Sequence, residues 1–305
     1  MPLIYSIIAP LIIISSVAVY QGEAFTAIET ARLLQNCMLI AGIGTLLQLY
    51  PTWKIGSGLP VVMGISFTFL AACLATASQD YGIMVGAIIV GGCFEGVLGL
   101  TAKYWRKIIS PIVSACVVVS IGLSILNVGV SSFGSSSAYP LGSWQNLLVA
   151  TITLAAALSG GVFGCSPITS FSQNVGLISM THVVNRFTIM FGALAMILGG
   201  LFPPIGAFFT TLPDCVLGGC TVIMFGSIMM SGVRMLQDAG MNQRNTLIAA
   251  TSICLGVGAT QVDGFFDNLP SVFGEIFAGN MVAGVFVVGL ILEICLPKDI
   301  SKYEI

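Results

Sequence analysis

The sequence contains very little charge. Only 7% of its 305 residues are Asp, Glu, Lys or Arg, whereas a soluble globular protein has about 25%. So few charged side chains cannot cover a water-facing surface, which excludes a soluble domain. The net charge of -2 also excludes the basic surface that nucleic-acid binding requires. Because 56% of the residues are apolar, the composition indicates an integral membrane protein that crosses the bilayer many times.

The groups that build catalytic and metal sites are scarce as well. The chain has a single histidine, no HExxH motif and no CxxC pair, so neither a zinc site nor a Ser/His/Asp set can be assembled. Its nine cysteines are scattered through apolar segments, which is typical of small packing residues. The sequence therefore predicts that the protein is not an enzyme and binds no cofactor.

Apolar runs separated by polar or Gly/Pro breaks predict an all-α polytopic membrane protein with about 10–11 membrane segments. Two runs are too short or too interrupted for ordinary spans: the run from Leu59 to Thr76, which begins Leu-Pro, and the run 175–184, which follows a polar string. Broken segments at membrane depth are stable only where they line protein or a cavity. In secondary transporters such a pair indicates a midplane binding site. The predicted runs are 3–20, 31–49, 59–77, 82–101, 110–130, 145–164, 175–184, 187–209, 215–232, 246–260 and 280–297.

Basic residues predict which ends of the spans lie inside the cell. An inside N-terminus puts the basic residues of the first half inside. In the second half, the basic residues fall on one side and the acidic Asp214, Asp263, Asp267 and Glu275 on the other. Keeping both basic groups inside conflicts with a single crossing at 145–164, which would move Arg186 outside. Either residues 145–172 enter and leave on one face, or an odd number of spans is missing there. The two groups are Lys54, Lys103, Arg106 and Lys107 in the first half, and Arg186, Arg234, Arg244, Lys298 and Lys302 in the second.

Three strings resemble the nucleobase–ascorbate transporter family (nucleobase:cation symporter family 2, xanthine/uracil permease-like). The first resembles the start of the family's third span, the second its signature on the tenth span, and the third its twelfth span. They occur in the family's order and cover nearly the whole chain. The strings are Gln48–Tyr50 with Ile55–Phe67, Ser172–Thr181, and Leu212–Gly219.

The resemblance implies about fourteen spans in two inverted repeats that form a core domain and a gate domain. Here, Trp144–Leu154 resembles the start of the sixth span and Ala155–Phe163 already resembles the end of the ninth. The missing stretch is on the order of a hundred residues, or three crossings with their loops, which explains the charge conflict. We therefore predict one transporter domain, 1–305, in which residues 1–144 form the first-repeat region, 145–172 a shortened junction and 173–305 the second-repeat region. The substrate-binding acidic residue of the family's eighth span has no counterpart.

The resemblance also implies that substrate binds between the third and tenth spans, whose broken backbones are predicted here. Phe67 would lie against the plane of a nucleobase, with the backbone of Ser66 and Thr68 beside it. Ser172 would donate a backbone N–H, and the Gln173 carboxamide would act as both donor and acceptor. Glutamine at this position of the family goes with purines of the xanthine or urate type.

The rest of the signature is expected to support the site rather than contact the base. Asn174 and Gly176 would organise the broken backbone, and Thr181 would bond a backbone carbonyl. Glu95 is the one acidic residue predicted well inside a span, so it is a candidate for cation coupling or for an interhelical hydrogen bond. The GxxxG spacing of Gly92 and Gly96 predicts close helix packing around it.

Together these patterns predict a secondary active transporter of nucleobases. The substrate is expected to be a purine of the xanthine or urate type, taken up with a proton or a sodium ion and without any other cofactor. The protein is expected to be a multi-pass protein in the lipid bilayer of the plasma (cell inner) membrane. The resemblance also implies a homodimer, and no nucleic-acid partner is expected. The alternative is an internally deleted, non-transporting remnant of the family, which binds weakly or only associates with membrane partners.

Overall fold

A computed structural model of the chain shows that its regular elements are α-helices, with no β-strand among the described residues. The described residues are 10–11, 13–14, 25–51, 58, 62–64, 69, 73, 76, 80–105, 108–134, 139–162, 186–262, 264–266, 274, 276–277 and 280–297. The helices in these ranges are α1 (Ala27–Leu49), α2 (Tyr81–Trp105), α3 (Pro111–Ser124), α4 (Leu126–Gly134), α5 (Trp144–Val162), α6 (Arg186–Leu201), α7 (Pro203–Thr210), α8 (Asp214–Asp238), α9 (Gln243–Gln261) and α10 (Met281–Cys295).

Four apolar helical stretches in the described residues are long enough to cross a membrane: Ala27–Leu49, Tyr81–Thr101, Pro111–Gly134 and Cys215–Asp238. Shorter apolar helices lie at Trp144–Ala155, Ile189–Leu201 and Met281–Cys295. These helices confirm the predicted all-α polytopic membrane protein. The inverted repeat, the broken third and tenth spans and the total of about 10–11 segments stay predictions.

The helices follow the predicted apolar runs closely, with two exceptions. The run predicted over 110–130 divides into α3, which ends at Ser124, and α4, which begins at Leu126. The run predicted over 187–209 divides into α6, which ends at Leu201, and α7, which begins at Pro203. Proline has no N–H to donate to the preceding turn and fits the first turn of a new helix. The Pro203-Pro204 pair therefore ends one helix and starts the next.

Polar side chains set where several helices begin. Thr26 and Glu29 form a reciprocal capping box before α1, because each side chain accepts the other's backbone N–H, at 3.3 Å and 2.9 Å. Three further helices each begin with a polar side chain that accepts one N–H from the first turn. These caps are Ser110 of α3, Asn242 of α9 and Asn280 of α10. Since the first N–H groups of a helix lack partners within it, these side chains determine helix ends that apolar runs leave undefined.

The chain forms two compact units, and each draws on both predicted repeat regions. Unit 1 comprises residues 1–70 and 126–226. In this unit α1 packs closely on α6, and α7 contacts both helices. A Cβ atom on Gly42 would lie 2.9 Å from the Ala193 carbonyl oxygen, and one on Gly200 would lie 2.9 Å from the Gln35 carbonyl oxygen. The order of these contacts makes the two helices antiparallel.

Unit 1 also contains α4, α5 and the first half of α8. The glycines Gly218 and Gly219 of α8 lie directly against the backbone of Phe133 on α4 and of Ala150 on α5. The loop between α4 and α5 is held by Asn146, a buried residue whose amide nitrogen donates toward carbonyl oxygens of that loop. This side chain adds a second hydrogen bond to the Gly134 carbonyl oxygen at the end of α4, which also accepts the Gly142 N–H at 2.9 Å.

Unit 2 comprises residues 71–125 and 227–305, and its core lies between α3, α9 and α10. Apolar side chains of all three helices meet there, among them Val113, Ile248 and Val285, each fully buried. Gly256 of α9 lies directly against Val285 of α10. Since Arg244, earlier on α9, meets Glu293, later on α10, these two helices are antiparallel.

The helix directions in unit 2 agree with the predicted grouping of basic residues. Gly289 of α10 lies beside Val113 of α3, and a Cβ on Gly232 of α8 would lie 2.6 Å from the Val119 nitrogen. The first turns of α3 and α9 and the last turns of α8 and α10 therefore share one end. Arg234 and Arg244 lie there, and Lys103 and Lys298 flank it in sequence.

The close packing predicted from the GxxxG spacing of α2 has no partner helix among the described residues. Extra Cβ atoms on Gly92 and Gly96 would meet nothing within 4 Å, and the described side chains from 86 to 101 are exposed. Glycine spacing allows close packing but does not supply a partner helix. The close approaches in the described residues occur instead at glycines of other helices, such as Gly42 and Gly200.

Candidate functional site

The residues predicted to contact substrate lie outside the described residues. This applies to Ser66, Phe67, Thr68, Ser172 and Gln173, and to the signature residues Asn174, Gly176 and Thr181. The structure does describe the segments that lead into both predicted half-sites. These are the chain after α1, which opens the predicted third span, and α6, which follows the predicted tenth span.

The chain after α1 turns back along that helix. The Gly58 N–H donates to the Gln48 carbonyl oxygen at 3.0 Å, so a residue ten positions on in the chain supplies a hydrogen bond to the last turn of α1. Gly58 has φ +69°, a left-handed conformation that strains any residue with a Cβ. This glycine, already within the quoted third-span string, is therefore required by the turn.

A buried hydroxyl then holds the non-helical backbone at Met63. The Met63 N–H donates to Thr45 Oγ1 at 2.8 Å, and that hydroxyl donates to the Ala41 carbonyl oxygen at 2.7 Å. Thr45 is completely buried. Because a non-helical N–H has no partner of its own at membrane depth, the side chain supplies the acceptor that the local chain lacks.

Apolar packing holds the same segment at the residue before Met63. Val62, 2% exposed, packs with Ala41 of α1 and Met196 of α6 in one buried cluster. The start of the predicted third span is thus in contact with the helix that follows the predicted tenth span. Neither Thr45 nor Met196 was identified from the sequence. A signal did exist for Thr45, which is a hydroxyl residue between two glycines and three leucines of an apolar run.

The chain leaves α1 and enters α6 at the same end of this antiparallel helix pair. The Tyr50 hydroxyl, just after α1, lies 3.3 Å from Met190 Sδ in the second turn of α6. The predicted third span begins beside this end, and the tenth-span signature finishes five residues before α6 begins at Arg186.

Glu95, the candidate for cation coupling, lies in unit 2 on α2. Fourteen residues of that helix precede it and ten follow it, and its side chain is exposed. A carboxyl group this far from either end of a spanning helix must face protein or water rather than lipid. The coupling role of Glu95 and its alternative, an interhelical hydrogen bond, both stay predictions.

Comparison with known proteins identifies the family. The model of the Permease family for xanthine and uracil permeases matches residues 4–160 and 157–265, which together make up most of the chain. The chain belongs to the xanthine/uracil permease family. Family membership and the apolar helices make this permease an integral, multi-pass membrane protein, and they place it among transporters rather than enzymes.

Curated relatives of this permease include three bacterial xanthine permeases. The xanthine permease XanQ of Escherichia coli is 26% identical, with 89% of this chain and 85% of the relative covered. Xanthine permease XanP of the same species is 24% identical, covering 94% of this chain and 89% of the relative. A xanthine permease of Bacillus subtilis is 27% identical, covering 92% and 88%.

The comparisons also support an internal shortening of this permease. The alignments with these relatives run over 395 to 413 positions, at least 90 more than the 305 residues of this chain. The two matches of the family model meet at residues 157–160, inside the predicted junction 145–172. The bounds of the two predicted repeat regions, 1–144 and 173–305, stay predictions.

Proposed function

We propose that this permease carries nucleobases across the plasma (cell inner) membrane, and that its substrate is a purine of the xanthine or urate type. The observation that carries the proposal is the antiparallel packing of α1 on α6. It brings the start of the predicted third span and the helix after the predicted tenth span to the same end of one helix pair. The names of the related xanthine permeases support a purine.

The chemistry of the proposed site suits a flat heterocycle. Interrupted backbones expose N–H and C=O groups that can pair with the edge of a base, and helix N-termini add a partial positive charge. In this proposal Phe67 packs on the base plane, and the backbone at Ser66, Thr68 and Ser172 bonds its edge. The Gln173 carboxamide donates and accepts without changing its protonation state, so its hydrogen bonds to the base require no proton on the protein side.

Transport against a gradient requires coupling to an ion, and we propose a proton or a sodium ion. Glu95 is the proposed coupling group, because a carboxyl group within a spanning helix can bind and release a cation as its surroundings change. The movement is proposed to be a rigid displacement of a core domain against a gate domain, by analogy with the family. A homodimer formed through the gate domain belongs to the same proposal.

The internal shortening and the missing eighth-span acidic residue bear directly on this function. If the third and tenth spans suffice for binding, this permease transports with weaker affinity than a longer relative. If the eighth-span acid is indispensable, the chain is a non-transporting remnant of the family. An uptake experiment separates these two outcomes.

The test is uptake of radiolabelled xanthine in cells that express the permease and lack their own purine permeases. We expect saturable uptake that Gln173→Ala abolishes at an unchanged protein level. Gln243→Ala provides the matched control, because Gln243 is an exposed amide in the first turn of α9 and should leave uptake intact. Absence of saturable uptake of xanthine, urate, guanine and uracil by a folded protein would overturn the proposal.

A further inference from the structure

The geometry points to Thr45 as a positioning residue of the substrate site: its hydroxyl holds the third-span backbone at Met63 and so sets where the following residues meet the base. This inference rests on the proposed function, because it assigns Thr45 a role in binding the same purine. Thr45 does not itself contact the substrate. It acts through the backbone that it holds.

The hydroxyl of Thr45 makes contacts of two kinds. As a donor it bonds the Ala41 carbonyl oxygen, four residues earlier in α1, at 2.7 Å. As an acceptor it receives the Met63 N–H at 2.8 Å, and its oxygen also lies 3.4 Å from the Met63 carbonyl oxygen. One buried side chain therefore joins a regular helix to a stretch of backbone without helical hydrogen bonds.

The donor contact alone would be ordinary. Threonine hydroxyls in helices often bond the carbonyl four residues earlier, and Thr151 of α5 does so at 2.6 Å while remaining exposed. What distinguishes Thr45 is its complete burial together with the N–H that it accepts from a segment 18 residues away in sequence. A hydroxyl that only filled space in α1 would not need that second partner.

The residues around Met63 fix the position of this segment along α1. Gly44 leaves room for it, since a Cβ on Gly44 would lie 3.4 Å from Met63 Cβ. Val62, the preceding residue, is buried against Ala41 and Met196. The backbone is thus fixed by a hydrogen bond at one residue and by apolar packing at its neighbour.

The distance from this anchor to the proposed contacts is short. Ser66 follows Met63 by three residues, which span at most about 10 Å when extended. Since so short a stretch joins them to Met63, the anchor restricts where the proposed contacts Ser66, Phe67 and Thr68 can lie. Because a misplacement of about 1 Å can reduce activity by a factor of about 100, loss of the anchor should impair substrate binding without removing any group that touches the base.

Two measurements on the full chain test the inference. Thr45→Val removes the hydroxyl and keeps the shape of the side chain, and Thr45→Ser keeps the hydroxyl. Thr151→Val is the matched control, because it removes the hydroxyl of an exposed threonine in the same unit. The first measurement is hydrogen–deuterium exchange of peptides covering residues 60–66 in the purified protein. The second is the KM and maximal rate of xanthine uptake.

We expect Thr45→Val to speed exchange in this segment and to raise KM by up to about tenfold, the size expected for the loss of one hydrogen bond. The protein level should stay unchanged, and Thr45→Ser and Thr151→Val should behave as wild type. If Thr45→Val does not yield a folded protein, Thr45→Ala, which removes the hydroxyl without adding a methyl group, replaces it in both measurements.

The two measurements keep this inference separate from the proposed function. Unchanged exchange in the variant without the hydroxyl would overturn the anchor. Faster exchange with unchanged KM and maximal rate would overturn the positioning role. A wild-type protein that shows no uptake would contradict the proposed function and with it the positioning role, while the exchange measurement would still decide whether Thr45 holds Met63.

Discussion

Arg244 on α9 and Glu293 on α10 form an ion pair in which a single guanidinium nitrogen, Nη1, lies 3.2 Å and 3.1 Å from the two carboxylate oxygens. The guanidinium also donates through Nη2 to the Glu293 carbonyl oxygen at 2.8 Å and lies close to the Leu296 carbonyl oxygen. Arg244 therefore caps carbonyl groups at the C-terminal end of α10 and also neutralises the Glu293 carboxylate. Both side chains are largely buried, 10% and 18% exposed.

This geometry predicts unequal losses of stability. Arg244→Ala removes the pair and the backbone hydrogen bonds and should cost about 3 kcal/mol. Glu293→Gln should cost about 1–2 kcal/mol, because the backbone carbonyls still accept from Arg244. Arg234→Gln, the loss of an exposed positive charge near the same end of unit 2, is the control. Thermal unfolding in detergent checks the order, and equal effects of the first two variants would contradict it.

The packing of α1 on α6 predicts that Gly200 cannot be enlarged. A Cβ there would lie 2.9 Å from the Gln35 carbonyl oxygen and the Leu39 nitrogen, so Gly200→Ala must push the helices apart, at a cost of about 1–3 kcal/mol. Gly226→Ala is the matched control, since a Cβ at that helical glycine meets nothing within 4 Å and alanine favours helix.

The melting temperature and xanthine uptake of both glycine variants check this prediction. We expect Gly200→Ala to lower both, because the same helix pair carries the two predicted half-sites. Gly226→Ala should match or exceed the stability of wild type. Wild-type stability of the Gly200 variant would show that α1 and α6 do not pack as described.

The contacts of Asn146 predict that a negatively charged substitution there lowers stability more than truncation to alanine does. Its amide nitrogen lies 3.0 Å from the Gly134 carbonyl oxygen and 3.2 Å from that of Pro140. Asn146→Ala removes these hydrogen bonds, while both oxygens still accept backbone N–H groups, from Gly142 at 2.9 Å and Ser143 at 3.1 Å, so we expect a cost of about 0.5–1.5 kcal/mol. Asn146→Asp should cost more, since a carboxylate cannot donate to carbonyl oxygens. Thermal unfolding compares both with Gln145→Ala, the neighbouring amide, and a milder Asp variant would refute the contact.

Glu95 predicts a separation between binding and coupling. If its carboxyl group carries the coupling cation, Glu95→Gln should abolish accumulation of xanthine against a gradient while leaving exchange of labelled for unlabelled xanthine intact. Glu29→Gln is the control: Glu29 serves the cap of α1, so this change should lower thermal stability slightly and leave accumulation unchanged. Accumulation that survives in the Glu95 variant would rule out the coupling role.

Much of the fold could be predicted from the sequence because apolar length alone determines spanning helices. The run predicted over 215–232 lies within α8, and the run over 246–260 lies within α9. The helix ends could not be predicted in this way, because capping residues such as Asn242 extend a helix beyond its apolar run. The charge pattern does predict which helix ends lie together in unit 2, since positive residues are excluded from the lipid and gather at one side.

The candidate site could be predicted only from the resemblance, and its supporting contacts could not be predicted at all. Thr45 and Asn146 matter because distant backbone groups reach them, and no local pattern shows which hydroxyl or amide will be reached. The glycines give the same lesson. Gly92 and Gly96 match a known spacing but meet no neighbour in the part of the chain that the structure describes, whereas Gly42 and Gly200, which lack that spacing, lie against backbone.

The measurement that tests the central claim most directly is the thermal stabilisation of the purified permease by xanthine, urate, guanine and uracil. A ligand at a hundred times its Kd stabilises the folded state by about 2.7 kcal/mol, so binding at the third and tenth spans must raise the melting temperature. The proposed site predicts a rise with purines that Gln173→Ala removes and Gln243→Ala retains. A protein that unfolds cooperatively and is stabilised by none of the four bases would contradict it.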